Sequence, residues 1–320
     1  MDAPLIIAIP SKGRLKEQVE AWLADCALKL EAVGGDRGYM ASLKGLEGAQ
    51  VRLLSAGDIA EALDAGEAHL GVTGEDLMRE RPGDLAQRAL LLRPLGFGRA
   101  DLVVATPKSW LDVETMADLE EVAHDILART GRRLRVATKY ILQTRAFFAR
   151  HGLVDYRIVE SGGATEGAPA AGAAEIVVDI TTTGATLEAN GLKVLADGVM
   201  LRSQAHLAAS LQARWSEAAL AVAERLLRVV EARAAARSSA ALSWPEDQGA
   251  AAQMIEDLVA RGASRRPNGL LVAQTEAAGA GQALAAAGLG PVTALQPDFV
   301  FETGSAGFER LRAAALKIDD

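Results

Sequence analysis

The sequence predicts an α/β fold in which two sheets form two lobes around a cleft. Short apolar runs that end in polar loops, and the helical patterns that follow those loops, carry this prediction. The chain has 320 residues, half of them apolar, which is enough core for two or three compact units. Ligands of such folds usually bind at the carboxyl ends of the strands, so the cleft is the expected site.

Five apolar runs are the predicted strands. They lie at residues 5–9, 68–73, 101–105, 134–138 and 175–180. The first run is closed by Pro10, and a helical pattern that begins near Leu15 follows it. A long helical pattern from Trp215 to about Ala236 closes the core. Because strands and helices alternate, we expect largely parallel sheets.

The order of these elements predicts three units. We place lobe I at residues 1–104 with a return segment at 195–237, and lobe II at residues 105–194. Residues 238–245, rich in Ser and Ala and ending in Pro245, are the predicted linker.

A small C-terminal α+β module follows at residues 246–320. Its pattern predicts helices at 250–260, from about 275 to 287 and at 306–318, and strands at 270–274, 292–296 and 299–302.

Charge and cysteine content narrow the function classes. The 42 acidic and 34 basic residues give a net charge of -8, which repels nucleic acid and anionic membranes, so we expect neither partner. The same net charge repels phosphate, so a phosphate site must depend on groups that lie close around it. With Cys26 as the single cysteine there is no intramolecular disulfide, and the four histidines show no metal-ligand spacing. Without a signal peptide pattern or a long apolar run, a cytoplasmic location is expected.

The most informative stretch runs from Glu175 to Leu192, where a strand leads into a Thr/Gly loop and a helix start. The loop threonines offer hydroxyl donors, Gly184 lets the backbone approach a ligand, and the helix start presents free N–H groups to a phosphate. Asp179 lies just before the loop, where a carboxylate suits ribose hydroxyls or a magnesium ion. Two alternatives stay open: a capped turn that binds nothing, and the similar loop of type I phosphoribosyltransferases.

Four motifs resemble those of the ATP phosphoribosyltransferase family, in its order and spacing. They are Ala8-Ile-Pro-Ser-Lys-Gly-Arg-Leu15, Gly71-Val-Thr-Gly-Glu-Asp-Leu77, Arg135-Val-Ala-Thr-Lys-Tyr140 and the stretch from Glu175 to Leu192. The resemblance covers about residues 5–210. It implies a two-lobe core like the type II periplasmic binding proteins, a magnesium requirement and a homo-oligomer. The implied activity joins N1 of the adenine of ATP to C1 of phosphoribosyl pyrophosphate, the first step of histidine biosynthesis.

Matched residue by residue, the resemblance implies a set of site residues. The catalytic candidates are Lys12, Arg14 and Asp179, and the substrate-binding candidates are Lys139, Tyr140, Glu166, Thr181, Thr182, Thr183, Gly184, Ala185 and Thr186. Magnesium is expected to be held mainly by substrate phosphates. Such a reaction needs no covalent nucleophile, and positioning with charge stabilisation is the expected source of catalysis.

The chain also departs from the family pattern. Ser55-Ala-Gly57 stands where the family usually has basic residues, and Ala100-Asp101 stands where it has Cys-Arg. Both changes remove positive charge, so the contacts to ATP are not assigned from the sequence. The family's Tyr-Pro becomes Tyr140-Ile141.

The sequence leaves two further alternatives open. The two-lobe fold also suits a sensor that closes on a small metabolite without chemistry. The C-terminal module is similar in size and element order to the regulatory domain of the long family members, which implies feedback by histidine, although a last strand is missing from the pattern. Short members instead use a separate subunit resembling histidyl-tRNA synthetase, so such a partner is the competing prediction.

Overall fold

The computed structural model describes residues 3–32, 40–245 and 251–315. These residues form three sheets, which define lobe I, lobe II and a C-terminal unit. The predicted two-lobe α/β architecture is confirmed. No helix in the described ranges combines the length and the apolar character needed to cross a membrane.

Lobe I holds seven strands and five helices. The strands are β1 Leu5–Pro10, β2 Lys29–Ala32, β3 Met40–Lys44, β4 Ala49–Leu54, β5 Leu70–Gly74, β6 Ala89–Pro94 and β12 Ala205–Ser210. The helices are α1 Gly13–Asp25, α2 Ala56–Asp64, α3 Glu75–Arg79, α4 Leu85–Arg88 and α8 Glu217–Arg237. The sheet has the order β2-β3-β4-β1-β5-β12-β6, and α8 packs its apolar side against the core beneath β1.

Lobe II holds five strands and three helices. The strands are β7 Ala100–Pro107, β8 Leu134–Thr138, β9 Tyr156–Glu160, β10 Ile176–Thr181 and β11 Leu192–Ser203. The helices are α5 Met116–Thr130, α6 Ile141–Arg150 and α7 Ala185–Ala189. The sheet order is β11-β7-β10-β8-β9. A capping box between Thr115 and Asp118 fixes the start of α5.

The two lobes share one strand order. Five strands of lobe I run β4-β1-β5-β12-β6, and lobe II repeats this order as β9-β8-β10-β7-β11. The first three strands of each series are parallel, whereas β12 and β7 are antiparallel to both neighbours. The prediction of largely parallel sheets is therefore wrong outside these central strands. The reason is that β7 and β12 enter directly from the crossovers between lobes and not from a helix on the sheet face.

The crossovers also move the predicted lobe boundaries. The chain passes from lobe I to lobe II at residues 95–99 and returns at Gln204. The predicted boundaries at 104 and 195 are wrong because β7 begins at Ala100 and β11 extends to Ser203. Only the apolar middle of β7 stands out in the sequence. Its pairing with β11 extends both strands through polar residues.

The C-terminal unit has the element order β-α-β-β-α-β. Its elements are β13 Ser239–Ser243, α9 Ala252–Ala260, β14 Ser264–Arg266, β15 Gly269–Ala273, α10 Ala277–Leu284 and β16 Thr293–Leu295. All pairs in the sheet β14-β15-β13-β16 are antiparallel, which is the ferredoxin-like arrangement.

The prediction for this region needs three corrections. Residues 239–243 form the central strand β13 and not a linker, because Ala240 and Leu242 alternate into the core. No strand forms at residues 299–302. The last helix, α11 Ala306–Ala315, packs on α8 and β6 of lobe I, where Phe308 and Leu311 join the lobe I core. The predicted extension of that helix to 318 and the start of the module at 246–250 lie outside the described residues.

Candidate active site

The predicted phosphate loop connects β10 to the short helix α7. Gly184 caps α7 with φ +78°, the left-handed conformation that glycine adopts without strain. The Gly184 N–H donates to Thr181 Oγ1 at 2.8 Å, so this hydroxyl shapes the turn. Thr182 Oγ1 donates to the carbonyl of Arg99 at 3.2 Å and ties the loop to the crossover. Because α7 has only five residues, its dipole adds little, and the hydroxyls and local N–H groups are the main donors.

Asp179 and Glu166 place two carboxylates beside the loop. Glu166 sits on a 3₁₀ turn at Thr165–Gly167, and its charge acts on Asp179. Burial raises the pKa of Asp179, and Glu166 raises it further, while Lys139 acts in the opposite sense. The Ile180 N–H donates to Asp179 Oδ1 at 2.8 Å. Two neighbouring carboxylates would repel a phosphate, so this side of the site suits sugar hydroxyls or a cation.

One cavity brings most of the predicted loop residues together. It measures about 350 Å³ and is lined by Ala100, Glu166, Asp179, Ile180, Thr181, Thr182, Thr183, Thr186 and Leu187. The acid side and the hydroxyl side of the loop thus face one space. Gly184 and Ala185 form the backbone turn between Thr183 and Thr186. The volume is in the range of a small phosphorylated sugar site.

Lobe I supplies the cations of the cleft. A cavity of about 590 Å³ is lined by Arg14, Leu15, Gln18, Gly96, Phe97, Gly98, Arg99, Ile180 and Thr182, so it lies between the lobes and adjoins the loop. Arg14 is in the first turn of α1, and Lys12 immediately precedes that helix as an exposed residue. The sequence did not mark Arg99 as a site residue. The only signal available was its place in the Gly98-Arg99 pair at the crossover.

Lys139 and Tyr140 have different environments although they are adjacent. Lys139 is exposed, and its ammonium group lies 5.0 Å from the centre of the Tyr140 ring. Tyr140 is fully buried in the lobe II core, so the prediction that it binds substrate is wrong for this geometry. Its hydroxyl donates to Asp76 Oδ2 at 2.7 Å. Burial and the adjacent Asp76 raise the pKa of Tyr140 far above its usual value, so it stays a neutral donor.

Asp76 joins the two lobes through this contact. It lies in α3 of lobe I, is buried, and accepts hydrogen bonds from Tyr140 and from Ser203 Oγ, the latter at 2.7 Å. Four residues on, Glu80 accepts from the backbone N–H groups of Leu142 and Gln143 at the start of α6. The sequence showed Asp76 within a family motif but not this role, because its partners are more than 60 residues away.

The acidic groups are too few for a metal site made of protein alone. Within residues 3–32, 40–245 and 251–315, no three His, Cys, Asp or Glu side chains are arranged to hold a metal ion. Asp179 and Glu166 nevertheless offer the one or two carboxylates that Mg²⁺ uses when substrate phosphates and water supply its other ligands.

Comparisons with known proteins identify what the chain is similar to. The family model for ATP phosphoribosyltransferase matches residues 55–231. An ATP phosphoribosyltransferase of Caulobacter vibrioides is 66% identical over 318 residues, 99% of each chain. One of Bradyrhizobium sp. (strain ORS 278) is 57% identical over 236 residues, 74% of this chain and 73% of that one.

A solved structure shares the fold of the two lobes. The ATP phosphoribosyl transferase (HisG:HisZ) complex from Thermotoga maritima contains a chain that matches with a TM-score of 0.54 and 24% identity. The match covers 71% of this chain and 98% of that one. The family model and the relative that matches over 99% of each chain show that this chain belongs to the ATP phosphoribosyltransferase family.

Proposed function

We infer that the chain transfers the 5-phosphoribosyl group of phosphoribosyl pyrophosphate to N1 of the adenine of ATP. The bond from C1 to pyrophosphate breaks and the bond from C1 to N1 forms, which is the first step of histidine biosynthesis. The whole-length identity of 66% to an enzyme of this name carries the inference. The alternative of a sensor without catalysis is not favoured, because the family model matches residues 55–231 and a relative named as the enzyme is 66% identical over 318 residues.

The cleft suggests how the substrates are divided. We assign the 5-phosphate to the loop hydroxyls of Thr182, Thr183 and Thr186, and the ribose hydroxyls to Asp179, which faces the same cavity. The pyrophosphate is assigned to the side of Arg14 and Arg99, whose charges offset the developing negative charge as it leaves. An oxocarbenium-like carbon between these groups would be stabilised by the carboxylate of Asp179.

Magnesium is proposed as the cofactor. Asp179 and Glu166 would hold it together with substrate phosphate oxygens, and the ion would supply charge neutralisation of the leaving pyrophosphate. Lys139, which lies near Asp179, would keep that carboxylate ionised and available. A homo-oligomer and a cytoplasmic location stay predictions.

A direct assay tests the activity. Purified protein with ATP, phosphoribosyl pyrophosphate and Mg²⁺ is expected to release pyrophosphate and to form a product with the absorbance of N1-alkylated adenine. A matched reaction with free adenine or orotate in place of ATP is expected to release none. Transfer to either of these bases, but not to ATP, would contradict the proposal. If the protein alone is inactive, the assay is repeated with a histidyl-tRNA-synthetase-like subunit.

We further propose that the C-terminal unit regulates the core in response to histidine. Its ferredoxin-like topology is completed by β13 and β14, two strands that the sequence pattern did not predict, and this topology supports the likeness to the regulatory domain of long family members. The competing proposal is a separate regulatory subunit, and the matching Thermotoga maritima chain comes from a HisG:HisZ complex.

The structure allows a sharper test than simple truncation. Cutting the chain after about Ala240 would remove α11 and expose the lobe I core around Phe308. Residues 239–297 can instead be replaced by a short Gly/Ser linker, because the Val300 N–H donates to the Ala232 carbonyl at 3.0 Å and holds that segment against α8. If the unit is regulatory, this variant stays active and loses histidine inhibition. If neither protein responds to histidine until a partner subunit is added, the unit is not the sensor.

A further inference from the structure

A cavity rich in arginine lies on lobe II at the amino ends of β8 and β9, the opposite end of these strands from the cleft. It measures about 680 Å³, and five of its lining residues are the arginines Arg132, Arg133, Arg135, Arg145 and Arg157. The whole chain carries a net charge of -8, so this concentration of guanidinium groups is local and opposite in sign. The family motifs and the cleft assign no role to it.

Only one of the five arginines has a carboxylate partner in the described part of the chain. Arg135 Nη2 lies 2.7 Å from Glu175 Oε1, and Arg135 Nε also donates to that carboxylate. The side chains of the other four make no ion pair or hydrogen bond with any described residue. Asp155, between the lining residues Val154 and Tyr156, lies 3.6 Å from His124 and forms no ion pair with any of the five arginines.

The strand register brings two of the arginines side by side. Arg135 and Arg157 are direct partners on the adjacent strands β8 and β9, so their side chains start on the same face of the sheet. Glu175 compensates for Arg135 but not for Arg157, Arg133 or Arg145. A bound polyanion would neutralise these three exposed guanidinium groups.

We propose that this cavity binds a di- or triphosphate group, either as free polyphosphate or as the phosphate tail of a nucleotide. Guanidinium forks match phosphate oxygens in pairs, and the four uncompensated arginines can serve a group with several phosphates. The cavity is larger than such a group needs. Tyr156, Ile158 and Val154, the last 66% exposed, form an apolar wall that a base could contact.

Isothermal titration calorimetry with matched charge variants tests the proposal. The cavity variant carries Arg133→Gln, Arg145→Gln and Arg157→Gln. The control carries Arg261→Gln, Arg266→Gln and Arg312→Gln, which removes the same charge from exposed arginines outside lobe II. Tripolyphosphate and ATP are titrated separately at low ionic strength, where screening is weak. Binding in the cleft is common to all three proteins and cancels in the comparison.

Wild type and control are expected to bind one more tripolyphosphate or ATP per chain than the cavity variant, or to bind at least about tenfold more tightly at that site. Tyr156→Ala separates the two sources: it weakens ATP alone if a nucleotide is the ligand, and neither probe if free polyphosphate is. Equal isotherms for cavity variant and control would overturn the proposal. Binding of a polyglutamate peptide, but of neither phosphate probe, would overturn it in favour of an acidic protein segment.

The result is independent of the proposed activity. None of the three substituted arginines lines the cleft cavities described above, so turnover without added polyphosphate is expected to equal that of wild type. Far-UV circular dichroism and urea unfolding of the cavity variant check that the fold is intact. An active enzyme without the extra binding site would contradict the inference and leave the activity standing.

Discussion

Lobes I and II have the same strand order and opposite chemistry. At the cleft, lobe I presents the guanidinium groups of Arg14 and Arg99, whereas lobe II presents threonine hydroxyls and the carboxylates of Asp179 and Glu166. The shared topology decides where the two sets of groups meet, since Arg14 lies in the first turn of the helix after β1, Arg99 precedes β7, and Asp179 and the threonines lie at the end of β10. The sequence of those loops decides what each lobe binds. One fold unit can therefore serve two roles within a single site.

Keeping cations and anions on separate lobes has an energetic consequence. Arg14 and Arg99 make no ion pair with a described residue, so their charge remains available for substrate phosphates. On the other lobe, burial and Glu166 raise the pKa of Asp179, which shows that the folded protein holds this carboxylate at a cost. Arg14 and Arg99 thus form no ion pair with a described residue, whereas Asp179 lies between the opposing effects of Glu166 and Lys139, at the place where a charged ligand is proposed to bind.

The largest predicted effect is on Asp179. Asp179→Asn is expected to lower kcat by roughly 100-fold, since it removes a charge proposed to stabilise the positive ribose carbon. The free energy of unfolding at pH 7 is expected to stay equal or to rise, because the raised pKa means that ionised Asp179 destabilises the folded state. Steady-state kinetics and urea unfolding measure the two effects. Parallel losses of activity and stability would mean a structural role.

Substitutions in the threonine loop are expected to have the next largest effect. Thr182→Val is expected to weaken phosphoribosyl pyrophosphate binding by about 1.5–3 kcal/mol, the value of one hydrogen bond to a charged group. Thr182→Ser keeps the hydroxyl and is the control. Gly184→Val strains the left-handed turn, while Gly184→Asn, a residue that tolerates this conformation, is expected to bind closer to wild type. Fluorescence or calorimetry measures the affinity of each variant for phosphoribosyl pyrophosphate. Wild-type affinity in all four variants would show that the loop is a turn without a binding role.

Removing the hydrogen bond between Tyr140 and Asp76 is expected to have a smaller effect, which is on the free energy of unfolding. Tyr140→Phe leaves one oxygen of the buried Asp76 carboxylate without its donor, so the free energy of unfolding is expected to fall by about 1–3 kcal/mol. Tyr156→Phe is the matched control, because the Tyr156 side chain is only half-buried and makes no hydrogen bond to a described residue. Urea unfolding followed by circular dichroism measures both. Equal losses would show that Asp76 does not depend on this donor.

Substitution of Arg14 is expected to have a smaller effect than the substitutions in the threonine loop. Arg14→Gln should raise the KM for phosphoribosyl pyrophosphate severalfold, because Arg14 is exposed and Arg99 shares the same cavity. The effect should shrink as ionic strength rises, since salt screens an exposed charge. Steady-state kinetics from low to high salt check this. A salt-independent change, or a loss as large as that of Asp179→Asn, would contradict the proposed division between the lobes.

The sequence predicts the features that are local and misses those that depend on distant pairing. Strand β8 has the predicted bounds, 134–138, because Leu134, Val136 and Ala137 mark it within a few neighbouring residues. Strand β13 looks like a linker in the sequence, because small residues conceal its alternation and only its pairing with β15 and β16 reveals it. The same limit applies to the last helix: its apolar side is visible in the sequence, but not that lobe I receives it.

The candidate site follows the same rule. The threonine loop and Asp179 are contiguous, so the sequence groups them and the cavity contains them. Asp76 and Arg99 could not be found this way, because their partners come from the other lobe. The prediction for Tyr140 fails for the opposite reason: it is adjacent to Lys139 in the chain, but the start of α6 turns its ring into the core.

The smallest predicted effect is on the pH dependence of the free energy of unfolding, and it compares a histidine of lobe I with one of lobe II. His69 is buried in lobe I, where the Ile6 N–H donates to its Nδ1 at 3.0 Å and its Nε2 lies 3.1 Å from the Arg214 carbonyl. Burial lowers the pKa of His69. The folded state therefore favours the neutral ring, and stability present above the unfolded pKa of about 6.5 is lost as the pH falls towards the folded value.

Unfolding free energies measured from pH 8 to pH 5 should thus decline more in wild type than in His69→Gln, which cannot titrate. His124→Gln is the control, since it makes the same substitution at an exposed histidine of lobe II. We expect a difference in slope of a few tenths of a kcal/mol per pH unit, against a theoretical limit of about 1.4 kcal/mol per pH unit for one proton. Equal slopes for wild type and His69→Gln would show that acid sensitivity arises outside the lobe I core.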